Sequence, residues 1–88
     1  AQASPEAELR AAVRHPKTHL QEWLQERGRG TPSYRVVGQD GPNHAATWRV
    51  EAVLHDGTVV GQGRGASKRL AETEAALAAL ASLGEATP

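Results

Sequence analysis

Between Thr47 and His55 apolar and polar positions alternate, Trp48, Val50, Ala52 and Leu54 facing one way and Thr47, Arg49, Glu51 and Val53 the other. A period of two belongs to a strand with one covered face, so this segment predicts the best-defined strand of the chain. Asp56-Gly57 predicts a hairpin turn between His55 and Thr58, with glycine supplying positive φ. The strand beyond it, Thr58 to Arg64, contains Gly61 and Gly63, which predict a bulge or the close approach of another backbone. Upstream, Pro32 to Gln39 predicts a first strand around Tyr34 and Val36, followed by a loop from Asp40 to Ala45 rich in turn formers.

Helical spacing brackets the strands. Leu20, Trp23, Leu24 and Arg27 recur at i, i+3, i+4 and i+7, an apolar stripe that ends in an arginine stem. Pro16 suits the first helical position, where its missing N–H would be unpaired anyway, and Gly28 and Gly30 stop the helix. The opposite face carries Thr18, Gln21, Glu22 and Gln25. A second helix is expected from the N-cap Ser67 to about Leu83, before Gly84. Its Ala71, Ala75, Ala76, Ala79 and Leu80 form a face small enough to lie close against a sheet. The expected fold is an α+β two-layer sandwich: helix, three antiparallel strands, helix, with both helices on one face of the sheet.

Residues 5 to 14 have a helix-forming composition but only Leu9, Ala12 and Val13 as an apolar face, and predict a short or frayed helix. The chain thus divides into a linker or frayed helix over 1–14, one domain over 15–84 and a tail over 85–88. At 88 residues a single compact core is all that can be built. The absence of methionine and the linker-like opening AQASPEAE lead us to expect a piece of a longer protein.

The chain has no cysteine, which removes disulfides, iron–sulfur clusters and cysteine-ligated zinc from consideration. No apolar run approaches the ~20 residues needed to cross a bilayer, and the expectation is a soluble, cytoplasmic protein without membrane association. Net charge is zero, which on its face argues against a nucleic-acid partner. The distribution changes that picture. All ten Lys and Arg fall between Arg10 and Arg69 with only five acids among them, so this span carries a net charge of +5 and the remaining acids sit near the ends.

Six short motifs follow one another in order: Lys17-Thr18 with Leu20-Gln21-Glu22; Pro32-x-Tyr34-x-Val36; Gly41-Pro42-x-His44; Trp48-x-Val50; Gly61-x-Gly63-x-Gly65; and Ser67-Lys68-Arg69-x-Ala71-Glu72-x-x-Ala75-Ala76. Each alone is weak. In this order and at these separations they resemble the double-stranded RNA-binding domain, and the KTxLQE opening and GPxH loop resemble the branch found at the C-terminal end of bacterial ribonuclease III. The resemblance covers roughly residues 16 to 83.

The residues support an RNA reading on physical grounds. A-form RNA hides its bases in a deep, narrow major groove and displays 2′-hydroxyls across a shallow minor groove, so a reader needs short polar groups for hydroxyls and cations for phosphates. Thr18, Gln21 and Glu22 supply the former; a carboxylate looks misplaced against a polyanion, but it can accept from a 2′-OH, which DNA lacks. His44, on a loop stiffened by Pro42, is assigned to a second minor groove through its ring or its backbone carbonyl. Ser67, Lys68 and Arg69 open a helix, where free N–H groups, the positive dipole end and two cations form a phosphate clamp. Arg64 is added as a fourth contact. The resemblance implies a three-point contact across ~16 base pairs.

A bland reading exists for each position, since polar helix faces and surface cations are common. Cations at a helix N-terminus, however, oppose the dipole at a cost of a few tenths of a kcal/mol unless an anion arrives, and that favours a functional clamp. Trp23, Tyr34 and Trp48 are read as packing residues rather than base-stacking platforms. Glu72 and Glu74 stand where many relatives place a further cation, but Glu72 is common in the ribonuclease III branch, so only Glu74 departs; with about three to five phosphate contacts, micromolar, salt-sensitive binding is expected.

An enzyme reading fails for want of clustered ligands. His15 and His19 stand at i and i+4, but Pro16 puts His15 at or before the helix start, and the acids are too scattered to hold Mg²⁺. The chain is expected to bind duplex RNA without cutting it and to need no cofactor. Mg²⁺ and the nuclease domain, if the parent is ribonuclease III, belong N-terminal to Ala1. The rival is a protein-interaction or dimerisation module of the same fold, which would be expected to lack the basic pair or the GPxH loop.

Overall fold

Strand alternation, a capped helix and a stripe of small residues each find their counterpart in the structure, a computed structural model that describes residues 14–84. The helix expected over residues 5–14, save Arg14, and the tail over 85–88 lie outside the described residues. In chain order the elements are α1 (Pro16–Glu26), β1 (Ser33–Asp40), a single 3₁₀ turn (Asn43–Ala45), β2 (Thr47–Val53), β3 (Val59–Gly65) and α2 (Lys68–Ser82). The strands form one antiparallel sheet in the order β1-β2-β3. Helix α2 lies over β3 and β2, and α1 packs against α2.

Helix α1 ends as its glycine demands. Gly28 takes φ +67° while its N–H donates to Gln25 O and the N–H of Arg29 reaches back to Leu24 O at 2.9 Å, a Schellman closure of the last turn. Leu20 and Leu24 are fully buried in a core shared with Val50, Ala52 and Leu54 of the central strand region and Ala71, Ala75, Ala76, Leu77, Ala79 and Leu80 of α2. Burying the large members at about 1.5–3 kcal/mol each supplies the main stabilising term.

Glycine decides how α2 meets the sheet. Gly61, Gly63 and Gly65 pair with Ala52, Val50 and Trp48 and so share the helix-facing side of β3. A Cβ on Gly61 would stand 2.5 Å from Ala79 N, one on Gly63 2.7 Å from Glu74 C and one on Gly65 2.7 Å from Ala71 N. The helix backbone therefore rests directly on the strand, with fully buried Ala71, Ala75 and Ala79 providing the matching small face. Close approach, rather than a bulge at these glycines, is the reason for them. The bulge of this hairpin lies between them and the turn: Ala52 pairs with Gly61 and Val53 with Val59, so Val60 is the extra residue and turns into the core.

Three local expectations change. The hairpin closes through three residues, His55 to Gly57, with Leu54 N–H donating to Thr58 O and Gly57 N–H to Leu54 O. A two-residue turn of the Asp-Gly type needs positive φ at both centres, and Gly57 alone has it, at +91°. Asp56 instead faces Thr58, whose hydroxyl and then whose N–H, the latter at 3.0 Å, lower its carboxyl below the usual value. Val53 faces away from the helices yet is 8% exposed, covered at the register of Ser33 and Val59 rather than by the core. Val36 has the reverse fate. It pairs with Val50 on the helix side but remains 42% exposed, because α2 covers β2 and β3 and leaves the outer half of β1 bare.

Candidate nucleic-acid interface

Thr18, Gln21 and Glu22 are all exposed on α1, one turn apart, opposite the buried Leu20 and Leu24. Trp23, on the flank of this face, is half-buried; the Arg27 guanidinium lies 3.7 Å from its ring and donates to Trp23 O at 3.1 Å. Both tryptophans and Tyr34 pack against the core as packing residues should.

The first turn of α2 is built by its cap. Ser67 is extended at φ −140°, and its Oγ accepts from Leu70 N–H at 3.1 Å while its carbonyl accepts from Ala71 N–H. The serine hydroxyl oxygen is therefore engaged in the cap, and the backbone N–H groups of Lys68 and Arg69 are the ones aimed out of the helix end. Both side chains are exposed, and Lys68 Nζ stands 5.3 Å over the Trp48 ring.

Trp48 links this turn to the loop. It lies next to the start of β2, paired with Gly65 at the end of β3 and with Gln39 near the end of β1, so the loop from Gly41 to Ala46 and the turn into α2 leave the sheet at the same end. Gly41, at φ +85°, makes the reversal, and Ala45 N–H closes on Pro42 O at 2.8 Å. Pro42 and His44 are exposed.

A groove joins the two helices. Arg14, Lys17 and Thr18 line one side and Arg69 and Thr73 the other. Lys17 Nζ bridges to Glu72 Oε1 at 2.5 Å and sits 4.9 Å over the Tyr34 ring, tying α1, α2 and β1 together. Burial, with Glu72 as the smaller cause, pushes the Tyr34 phenol up to about 12, so it stays protonated. Glu72 is thus occupied with Lys17 instead of facing a polyanion. Because both partners are partly solvated, Glu72→Gln is expected to cost about 1 kcal/mol or less in urea melts; a loss above about 3 kcal/mol would make the pair a support of the core itself.

The structure therefore brings Thr18 into one groove with Arg69, leaves Gln21 and Glu22 one turn further along the exposed face of α1, and sends the loop of Pro42 and His44 out of the same end of the sheet as the turn into Ser67 and Lys68. Arg64 stands apart. It pairs with Arg49 on the open face of the sheet and lines a depression with Val37, Arg49, Glu51, Gln62 and Glu74. The alternation of β3 could have shown this, since Gly61, Gly63 and Gly65 claim the helix side. Arg14, Lys17, Thr73 and Trp48 were not among the sequence candidates for the site; Lys17 and Trp48 carried a signal, as parts of the KT and Trp48-x-Val50 motifs, and Arg14 and Thr73 carried none. Among the described residues no group of three or more His, Asp or Glu is placed to hold a metal ion, and no helix is long and apolar enough to cross a membrane.

Residues 16–83 match the family model described as the double-stranded RNA binding motif. The chain belongs to this family of double-stranded RNA-binding domains. Its relatives include Ribonuclease 3 of Rhodopseudomonas palustris, 50% identical over 76 residues, and Ribonuclease 3 of Xanthomonas axonopodis pv. citri, 40% identical over 76 residues; each match covers 86% of this chain. Ribonuclease 3 of Streptococcus pyogenes serotype M28 is 47% identical over 73 residues, 83% of this chain. These matches take in 28%, 34% and 31% of the respective relatives, so the chain spans about a third of their length. As a double-stranded RNA-binding domain it has the family's α-β-β-β-α order, with the helices on one face of the sheet.

Proposed function

We propose that this domain holds A-form RNA along the surface running from the polar face of α1 to the first turn of α2 and the loop before β2, and that it is the substrate-binding module of a ribonuclease III. In this reading Thr18, Gln21 and Glu22 exchange hydrogen bonds with 2′-hydroxyls, Lys68 and Arg69 with their backbone N–H groups hold phosphates, and His44 beside Pro42 meets a second minor groove. Arg64, on the open face of the sheet, is at most a peripheral contact. Cleavage and its Mg²⁺ belong to a nuclease domain elsewhere in the parent protein, in the cytoplasm. The observation that carries the reading is the arrangement of this exposed polar surface: Thr18 shares a groove with Arg69, and the loop before β2 leaves the sheet at the same end as the turn that leads into Lys68.

The test is discrimination between RNA and DNA. Gln21→Ala with Glu22→Ala removes partners for 2′-hydroxyls, and losing two such bonds is expected to weaken duplex RNA binding about tenfold. Weak binding to duplex DNA of the same sequence should be unchanged, because DNA offers those residues no 2′-OH. Equal losses on both duplexes would remove hydroxyl reading from α1. A folded wild-type domain that ignores duplex RNA would favour a protein-interaction module instead.

A further inference from the structure

The groove between the N-terminal ends of α1 and α2 has an unusual charge inventory. Arg14, His15 and Lys17 stand on one side and Arg69 on the other, with the hydroxyls of Thr18 and Thr73 beside them, and no carboxylate among the described residues lines it. Glu72, which meets the groove residue Lys17, has its charge taken up by that lysine at 2.5 Å. Neither Arg14 nor Arg69 makes an ion pair among the described residues. Thr73 Oγ1 donates to Arg69 O at 3.0 Å, which fixes the turn from which Arg69 projects.

Two guanidinium groups lining one groove with no acid between them repel each other, and an anion reverses the sign of that interaction. A planar guanidinium is suited to two-point contact with phosphate oxygens, and a hydroxyl adds a neutral donor without altering the charge. We infer that this groove is a binding site for a single backbone phosphate of the RNA duplex, with Arg14 and Arg69 as its cationic walls. This rests on the duplex-RNA reading above and extends it to Arg14, which precedes α1 and lies in none of the sequence motifs. A strand passing from the 2′-hydroxyl-reading face of α1 to the clamp of α2 has to cross the groove, and there the phosphate replaces the missing counter-charge. Lys17, which also lines the groove, is held by Glu72 and Tyr34.

Affinity for one duplex RNA should be measured over a range of salt concentrations for wild type, Arg14→Gln, Arg14→Lys and Arg69→Gln, with thermal melts of each. Loss of one phosphate contact lowers the magnitude of the log–log salt slope by about 1. Arg14→Gln is expected to show that change together with about a tenfold weaker affinity at low salt, without a change in melting temperature, since Arg14 is exposed and outside both helices. Arg14→Lys should keep the slope while recovering only part of the affinity, because it restores the charge but not the fork. An Arg14→Gln variant with wild-type slope and affinity, beside a weakened Arg69→Gln, overturns the site and leaves the duplex-RNA reading standing. A wild type that binds no duplex RNA overturns both.

Discussion

Replacing Lys68 and Arg69 together by alanine lowers affinity for duplex RNA at least about tenfold while leaving the folded state intact. The binding loss follows from two charge-assisted contacts at a helix end whose own N–H groups and dipole already favour an anion. The effect on stability is the more informative half. Both cations stand where the dipole disfavours them, so removing them returns a few tenths of a kcal/mol each. Against that, Lys68 loses its position 5.3 Å over Trp48, about 0.5–1 kcal/mol at an exposed site. The terms nearly cancel, so circular dichroism and melting temperature should stay close to wild type, and the salt slope should fall by about 2. Affinity within twofold of wild type in a folded double variant would mean that the first turn of α2 does not meet the RNA.

The zero net charge, which counted against this function from composition alone, has a structural resolution. Asp40 pairs with Arg49 and Glu51 with Arg35 in β1 and β2, Glu26 sits beside Arg27, and Glu72 is held by Lys17. The cations without an ion pair among the described residues are then Arg14, Arg29, Arg64, Lys68 and Arg69, and three of these five border the groove or the first turn of α2. Neutrality of the chain coexists with a basic surface because four of the seven acids among the described residues are paired with other cations.

Local patterns were legible wherever one physical requirement dominated. The alternation from Trp48 to Leu54 placed the central strand, Pro16 and Gly28 bounded α1, and Ser67 fixed the start of α2 at Lys68. The polar face of α1 was legible for the same reason, since a helix with two fully buried leucines must present the residues opposite them to solvent. Interactions between distant segments were not. Lys17 and Glu72 are 55 residues apart, and neither neighbourhood announces the other. Glu72 therefore read only as an acid usual in its branch, with no partner assigned, and Arg14 as part of a linker. Arg64 was grouped with the clamp because it is close to it in sequence, although a strand alternates sides and a helix-facing Gly63 and Gly65 put Arg64 on the other one.

Gly63→Val should be the most destabilising of these single substitutions, although valine is a far better strand former than glycine. Propensity in a strand spans about 1 kcal/mol, and the new Cβ would meet backbone rather than yielding side chains: it stands 2.7 Å from Glu74 C, with Ala71 O and Ala75 N also in its way. The clash can be relieved only by lifting α2 off β3, which opens the contact that buries Ala71, Ala75 and Ala79. A cost of about 3 kcal/mol or more is expected, the upper end of overpacking penalties, which for a domain of this size lowers the melting temperature by about 12 °C or more. Gln62→Val, one residue away on the open side of the same strand, is the control, expected within about 0.5 kcal/mol of wild type. Should Gly63→Val melt with the control, the helix is not seated on the strand backbone. The first turn of α2 would then not be held rigidly to the sheet, and the alignment of Lys68 and Arg69 with the face of α1 would have to come from the bound RNA rather than from the fold.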